Sequence, residues 1–262
     1  MILRNFEGRE QLDVSGLNKI TVLLDRSESE LTEIGFNKWT PNQVGPPHNH
    51  PEKDQVFFIH SGHGVVMLGN NRYNVAPGDV LYVPSGLVHQ TITTEEPLAY
   101  VLYNVFNDVT KEGHTTFADH IEKVKGIRKK QAEQGLAGIK ELDSNSVTNN
   151  PVFIQGSSIG IKEKTGSFSS IELLNSEKTN GFTFSIAKIG AQKKKVMSAV
   201  NYNEKAFFVV EGDGTIEIEK ETSKIRQGDL FYVSFGMPIF IETKNKGVTM
   251  LYIEVNVNKQ VL

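Results

Sequence analysis

The predictions of the fold and of a metal site rest on two segments: HNHPEKDQVFFIHSG, residues 48–62, and GDVLYVPSGLVH, residues 78–89. His48 and His50 follow two prolines that keep the backbone extended, and side chains two apart on a strand project from the same face. His89 follows a Pro-Ser-Gly turn in the second segment. Imidazole is a common ligand for transition metals, so these histidines predict a site for one divalent ion: Fe, Mn, Ni, Zn or Co.

Both segments recur in altered form 150 residues later, which indicates an internal duplication. The pairs that share this offset are FFIHSGHG (57–64) with FFVVEGDG (207–214), and VAPGDVLYVPSG (75–86) with IRQGDLFYVSFG (225–236). The two copies span roughly residues 17–106 and 167–256. Within each copy, short runs of β-branched and aromatic residues are separated by Gly, Pro and Asn turns, which is typical of a β-sandwich or closed barrel.

The two segments resemble the two motifs of the cupin superfamily: a histidine pair followed by an acidic ligand and a glycine, then Gly, Pro-x-Gly and a histidine. The chain is therefore similar to a bicupin, which has two cupin barrels in tandem. The resemblance implies a mainly all-β fold of two double-stranded β-helix (jelly-roll) barrels joined by a helical connector. The expected domains are residues 1–112 with the metal site, 113–150 as connector and loop, and 151–262 as a degenerate barrel.

One position departs from the family pattern. The acidic ligand of cupins normally stands seven residues before the motif glycine, Gly62, and that position is Gln55 here. Gln55 is the expected fourth ligand through its amide oxygen; the alternatives are that Asp54 or Glu52 turns inward, or that no fourth protein ligand exists. Three imidazoles and an amide leave the full +2 charge on the ion, so such a site should attract an anionic, chelating substrate.

The second copy has different residues at all four ligand positions. The 150-residue offset places Ser198, Val200, Lys205 and Ile239 where the first copy has His48, His50, Gln55 and His89. Apolar side chains inside a small barrel fill it. The second barrel is therefore expected to be without metal and to serve mainly as a packing partner.

Strand alternation also predicts the wall of the first barrel's pocket. The expected substrate-binding residues are Phe57, Ile59, Leu81, Val83 and Thr91. Weaker candidates for a general base are Glu52, Tyr100 and Tyr103. Thr115-Thr116 should cap a connector helix that ends near Gly135, and His114 and His120 beside or within it are expected to be solvated.

Composition excludes several classes of protein. The chain has 262 residues, 38% hydrophobic and 23% charged, with a net charge of −3, which excludes wholesale disorder and does not favour nucleic acid as a partner. The absence of cysteine excludes disulfides and thiolate chemistry. No apolar run reaches the roughly 18 residues of a membrane helix and no secretory signal is evident, so we expect a cytoplasmic protein without a membrane partner.

Together these features predict a metal-dependent enzyme. The substrate would be a small oxygenated organic molecule chelated at the metal, and the resemblance to cupins allows dioxygenase, isomerase or related chemistry, and also a homodimer. The alternative is a non-catalytic protein that binds or senses a sugar or an organic acid. The lack of an evident acid–base residue favours that alternative.

Overall fold

The computed structural model describes residues 1–111, 114–134, 147, 149–160, 168–198 and 203–257. These residues form mostly strands, as predicted. In chain order the elements are β1 (Ile2–Asn5), β2 (Leu12–Val14), β3 (Asn18–Leu24), β4 (Thr32–Trp39), β5 (Lys53–Ser61), β6 (Gly64–Leu68), β7 (Asn71–Val75), β8 (Val80–Val83), β9 (His89–Thr93), β10 (Leu98–Phe106), α1 (Phe117–Gln134), β11 (Val152–Ile154), β12 (Phe168–Leu174), β13 (Phe182–Ile189), β14 (Lys194–Ser198), β15 (Asn203–Ile218), β16 (Glu221–Arg226), β17 (Asp229–Val233) and β18 (Pro238–Asn256). Short 3-10 turns lie at Arg26–Glu28 and Gly156–Ser158.

The strands form two compact units. The first unit, residues 10–159, contains a seven-stranded sheet in the order β11-β8-β5-β10-β4-β3-β2 and a three-stranded sheet in the order β7-β6-β9. One apolar core joins these two sheets, as a jelly-roll barrel requires. Its buried residues are Trp39, Phe57, Ile59, Val66, Leu68, Val75, Leu81, Val83, Leu87, Leu98, Tyr100 and Leu102.

The second unit, residues 1–9 with 160–262, is built on one sheet in the order β1-β17-β15-β18-β13-β12. Strand β14 pairs with β18, and β16 pairs with β15. The core of this unit includes Phe207, Phe231, Ile239 and Ile241, which are fully buried. The apolar residues that alternate along β15, β17 and β18 thus fill the interior of the second barrel.

The motif glycine has the same structural role in both units. Gly62 has φ +78°, and a Cβ there would lie 1.9 Å from the carbonyl oxygen of Pro97. Its counterpart Gly212 has φ +89°, and a Cβ there would lie 2.0 Å from the carbonyl oxygen of Gly247. Only glycine combines a left-handed backbone with such a close approach, which explains why this part of the motif occurs in both copies.

A short strand that precedes each copy in the chain pairs with the sheet of the other copy. Strand β1 pairs with β17, so that Ile2 lies opposite Tyr232. Strand β11 pairs with β8, so that Val152 lies opposite Tyr82. Both members of these pairs are related by the 150-residue offset, so the duplication includes the exchanged strand. The domain boundaries at residues 112 and 150 stay a prediction from the sequence, and they do not include this exchange.

Helix α1 packs on the first unit. Phe117 and Ile121 are buried against Val14 and Ile20. The N-terminal cap is the predicted one, because the Thr116 hydroxyl accepts a hydrogen bond from a backbone amide of the first turn at 3.1 Å. The predicted end at Gly135 lies outside the described residues. No helix among the described residues is long and apolar enough to cross a membrane.

Candidate metal centre

The structure brings together the three histidines that the sequence singled out. His48 and His89 face each other across a two-way backbone pairing, with N···O distances of 3.0 and 2.8 Å. Their ring centroids are 4.3 Å apart, and the His50 ring lies 5.0 Å from His48 and 5.5 Å from His89. One ligand nitrogen from each ring lies within 4.8 Å of the others. Among the described residues, this is where such side chains gather closely enough to share an ion.

Backbone carbonyls set the tautomer of two of these rings. The Nδ1 atom of His48 lies 3.0 Å from the carbonyl oxygen of Pro46, and that of His89 lies 3.1 Å from the carbonyl oxygen of Leu87. A carbonyl oxygen only accepts, so each Nδ1 must donate its hydrogen. The Nε2 atom then keeps its lone pair, which is the form of imidazole that binds a metal.

Burial keeps the three imidazoles neutral. It lowers the pKa of His48 well below its usual range, lowers the pKa of His50 to about 4, and lowers the pKa of His89 to about 3. Neighbouring histidines, and Lys53 near His50 and His89, lower the pKa in the same direction. At neutral pH no proton therefore competes with a metal for these nitrogens.

A hydrogen-bonded relay across three adjacent strands orients Gln55. The Glu33 carboxylate accepts from Asn104 Nδ2 at 2.7 Å, and Asn104 Oδ1 accepts from Gln55 Nε2 at 2.9 Å. A carboxylate cannot donate a hydrogen bond, so the orientation of both amides follows from Glu33. The Oε1 atom of Gln55 is left buried without a hydrogen-bond partner among the described residues. A buried carbonyl oxygen without a donor, beside three neutral imidazoles, fits a divalent cation.

Asp54, an alternative fourth ligand, has both carboxylate oxygens in hydrogen bonds to other groups of the barrel. Its carboxylate accepts from the Tyr82 hydroxyl and from the Ser85 amide, each at 2.7 Å. The second unit repeats this pair at the 150-residue offset, where Tyr232 donates to Glu204 at 2.8 Å. The pair is present in the copy that has no histidines, so its role is structural.

We expect Asp54→Asn to lower the free energy of unfolding by about 1–3 kcal/mol, because the buried network loses a charge-assisted hydrogen bond. The metal content should stay at the wild-type level. Urea denaturation and elemental analysis of the same preparation measure the two effects. Loss of metal with unchanged stability would instead make Asp54 a ligand.

Glu52 lies at the rim of the site. Its Oε1 atom is 3.7 Å from His50 Nδ1 and 4.0 Å from Lys53 Nζ. Burial raises the pKa of this carboxyl, but the interactions with His50 and Lys53 outweigh burial and lower it to about 2. Glu52 is thus a charged neighbour of His50 rather than a group directed between the three rings.

An inner cavity of about 50 Å³ lies beside the histidines. Phe57 and Thr91 line it, as does Tyr100, so these predicted residues lie at the site. The other expected wall residues, Ile59, Leu81 and Val83, do not line this cavity but are buried in the apolar core. Tyr103 is also buried and absent from the lining, because it alternates with Tyr100 along β10 and faces away from it.

Tyr100 is held by the barrel as a hydrogen-bond acceptor. Its hydroxyl oxygen accepts from Trp39 Nε1 at 2.9 Å and from Asn37 Nδ2 at 3.0 Å, and Thr91 Oγ1 is 3.5 Å away. Burial raises the pKa of this phenol. Tyr100 therefore stays protonated at neutral pH and positions its neighbours instead of acting as a base.

Helix α1 contributes residues that the sequence analysis missed. The expectation that His114 and His120 are solvated is wrong: His114 is buried with its Nε2 atom 3.3 Å from Glu33, and the His120 ring lies 5.8 Å from that of His50. His120 and Arg128 line the inner cavity together with the histidines. They are eight residues apart and so share one helix face, but the sequence has no signal that this face covers the barrel.

A second, outer cavity of about 210 Å³ adjoins the inner one. Both cavities are lined by His48, His50, His120, Val124 and Arg128. Lys123 and Glu52 line only the outer cavity. The site therefore has a narrow inner part at the histidines and a wider, charged outer part between the barrel and α1.

The corresponding positions of the second unit have other contacts. Lys205, which replaces Gln55, forms an ion pair with Glu254 at 2.8 Å. Ile239, which replaces His89, is fully buried in the core. Val200 lies outside the described residues, and for Ser198 the structure describes only the backbone of β14. That the second barrel binds no metal stays a prediction.

Comparison with known proteins agrees with this architecture. Residues 36–105 match the family described as Cupin domain. A germin-like protein of Arabidopsis thaliana, subfamily 1 member 4, is 33% identical over 78 residues, which cover 27% of this chain and 35% of that protein. The chain thus spans about a third of the length of this curated relative.

Solved structures show the same fold over nearly the whole chain. A point mutant of Bacillus subtilis oxalate decarboxylase matches 98% of this chain and 80% of its own, with a TM-score of 0.67 at 15% identity. Lactobacillus farciminis oxalate decarboxylase in a formate complex matches 98% and 86%, with a TM-score of 0.69 at 12% identity. Vicilin from Corylus avellana matches 98% and 86%, with a TM-score of 0.62 at 19% identity.

The fold and the histidine cluster define a class: proteins of two jelly-roll barrels with a potential metal centre. Residues 36–105 of this chain match the Cupin domain family, and the chain as a whole is similar in fold to the oxalate decarboxylase and vicilin structures.

Proposed function

We propose that the protein is a metal-dependent enzyme acting on a small oxygenated organic substrate. His48, His50, His89 and Gln55 hold one divalent transition metal in the first barrel. The observation that carries this proposal is that three neutral imidazoles each bring one ligand nitrogen within 4.8 Å of the others. The relay that leaves the Gln55 Oε1 atom buried and unbonded supports it.

Four protein ligands leave two positions of an octahedral ion open to substrate. When bound, the metal supplies Lewis-acid or redox chemistry, which matches dioxygenase, isomerase or related reactions. The chain's own residues shape the site around it. Phe57 and Trp39 form an apolar wall that excludes water, while the Thr91 and Tyr100 hydroxyls lie in the inner cavity beside His89.

The test is reconstitution of the purified protein with Fe(II), Mn(II), Ni(II), Zn(II) or Co(II), followed by elemental analysis. We expect about one ion per chain, as one site predicts. Oxygen uptake and product formation are then measured with diketones, phenolics and keto-sugars. Absence of bound metal under every condition would overturn the proposal.

A non-catalytic binding role is the second candidate. The observation that favours it is that none of the three general-base candidates is placed to act on a ligand at the histidines. Tyr103 faces away, Tyr100 is held protonated, and Glu52 lies at the rim. A compound that raises the melting temperature of the metal-loaded protein, and that is recovered unchanged after prolonged incubation, would support this role over catalysis.

Gln55→Glu is expected to strengthen metal binding and to destabilise the metal-free protein. The added negative charge offsets the charge of the ion. Without metal, the new carboxylate meets the Oδ1 atom of Asn104, which donates no hydrogen bond. Adding metal should raise the melting temperature more in Gln55→Glu than in the wild type, and less in Gln55→Leu. Equal rises in all three proteins would show that residue 55 is no ligand.

A further inference from the structure

Arg128 projects from α1 into the space beside the histidines. It lines both the inner and the outer cavity, as do His48 and His50. Its Nη1 atom donates to the carbonyl oxygen of Val14 at 2.8 Å and to Asn18 Oδ1 at 3.0 Å. The guanidinium carbon lies 5.7 Å from the centre of the Trp39 ring. Arg128 is thus held in place by neutral groups from three strands of the barrel, β2, β3 and β4.

The charge of Arg128 has no carboxylate in direct contact among the described residues, and Asp13 acts on it only from beyond ion-pair distance. No carboxylate of this part of the chain lies within 4.0 Å of the half-buried guanidinium, whereas the buried Lys205 has Glu254 at 2.8 Å. The Nε and Nη2 atoms make no hydrogen bond to a described residue, although Nη1 makes two. Burial of a charge is costly unless the charge is paired. The free Nε–Nη2 edge has the fork geometry that binds a carboxylate through two parallel hydrogen bonds.

The charges around the cavities favour an anion as the missing partner. The proposed ligands are neutral, so a bound ion keeps its +2 charge, and Lys123 adds a positive charge on the outer cavity. Glu52 is the carboxylate that lines the outer cavity, and it lies beside His50 and Lys53 rather than beside Arg128. An incoming anion therefore meets Arg128 and the metal from the same space.

We propose that Arg128 binds the carboxylate of the substrate, so that the substrate class is short organic acids with a second oxygen donor for the metal. This inference rests on the proposed function. One end of the ligand pairs with the Nε–Nη2 edge, and its other oxygen donor takes an open position at His48, His50, His89 and Gln55. The helix that the sequence predicts as a connector thereby supplies the residue that selects the substrate by charge.

The test uses the full-length protein loaded with Mn(II) and calorimetric titration with malonate and with malonamide, its neutral analogue. We expect the wild type to bind malonate, and Arg128→Met to bind malonate about 10- to 100-fold more weakly, as expected for loss of a bidentate charged hydrogen bond. Malonamide affinity should be the same in both proteins. Lys125→Met is the matched control, because Lys125 lies on the same helix and its partner is Glu122 at 2.7 Å.

Arg128→Lys keeps the charge but loses the fork, so we expect an intermediate affinity for malonate. This variant also provides the comparison if Arg128→Met does not fold. Metal content distinguishes a failure of the proposed function from a failure of the role of Arg128. A wild-type protein that takes up no metal overturns both. Metal uptake with equal malonate affinity in the wild type, Arg128→Met and Arg128→Lys overturns the inference alone.

Discussion

His48→Ala is expected to reduce metal affinity by at least about 100-fold, because the loss of a ligand should exceed the 10- to 100-fold cost of losing a residue that only orients one. The ligands that remain are then His50, Gln55 and His89. The His48 backbone pairing to His89 does not depend on the side chain, so the barrel should still fold. Elemental analysis after dialysis, together with the metal-induced change in melting temperature, measures the loss.

His63→Ala is the control for this experiment. His63 is exposed at a turn and its Nδ1 atom contacts Glu96, so the substitution removes an imidazole without touching the cluster. Full metal content in His48→Ala, or equal loss in both variants, would contradict the assignment of His48 as a ligand.

Asn104→Leu is expected to weaken metal binding by about 10- to 100-fold although Asn104 is not itself a ligand, an effect typical of residues that orient metal ligands. Without the Asn104 Oδ1 acceptor, the Gln55 amide is free to rotate and to present its NH2 group to the ion. The substitution also leaves the Glu33 carboxylate without the donor at 2.7 Å. Calorimetric titration with Mn(II) measures the affinity, and denaturation measures the stability.

Glu33→Gln distinguishes the orientation of the Gln55 amide from the charge of Glu33 as the cause of the effect on metal binding. A glutamine oxygen at residue 33 can still accept from Asn104, so Gln55 keeps its orientation and the metal affinity should stay close to the wild type. The unfolding free energy should fall, because the Glu33 charge stabilises the charged forms of buried Arg26 and Lys53. If Glu33→Gln lowered metal affinity and Asn104→Leu did not, the role of the relay would be the charge of Glu33 and not the orientation of Gln55.

The fold was predictable because its motifs are local. The turn at Gly62 needs a residue that tolerates φ +78°, and two such turns 150 residues apart indicate two similar units. Strand alternation predicts that His48 and His50 share one face, but the structure places them outside the named strands, with His48 in an isolated bridge to His89. The arrival of His89 beside them depends on an antiparallel pairing, which the resemblance to cupins implied and the residues alone did not.

Long-range contacts explain what the sequence analysis missed. The spacing of the cupin motif predicts Gln55 as the fourth ligand. The relay from Gln55 to Glu33 depends on the register of β5, β10 and β4, and no local pattern shows that register. The position of His120 and Arg128 depends on how α1 packs against Val14 and Ile20. A helix with mostly polar side chains is typical of a solvated connector, and its few apolar residues do not identify the surface they cover.

The exchanged strands β1 and β11 have a consequence for fragments of this chain. A cut in the chain between β10 and β11 would leave β8 without β11 in one fragment and β17 without β1 in the other. Each fragment alone would expose an unpaired sheet edge and be prone to aggregate, whereas the two together should complement each other. Neither sheet is therefore complete in a fragment that holds one copy alone, because each sheet takes its edge strand from beside the other copy.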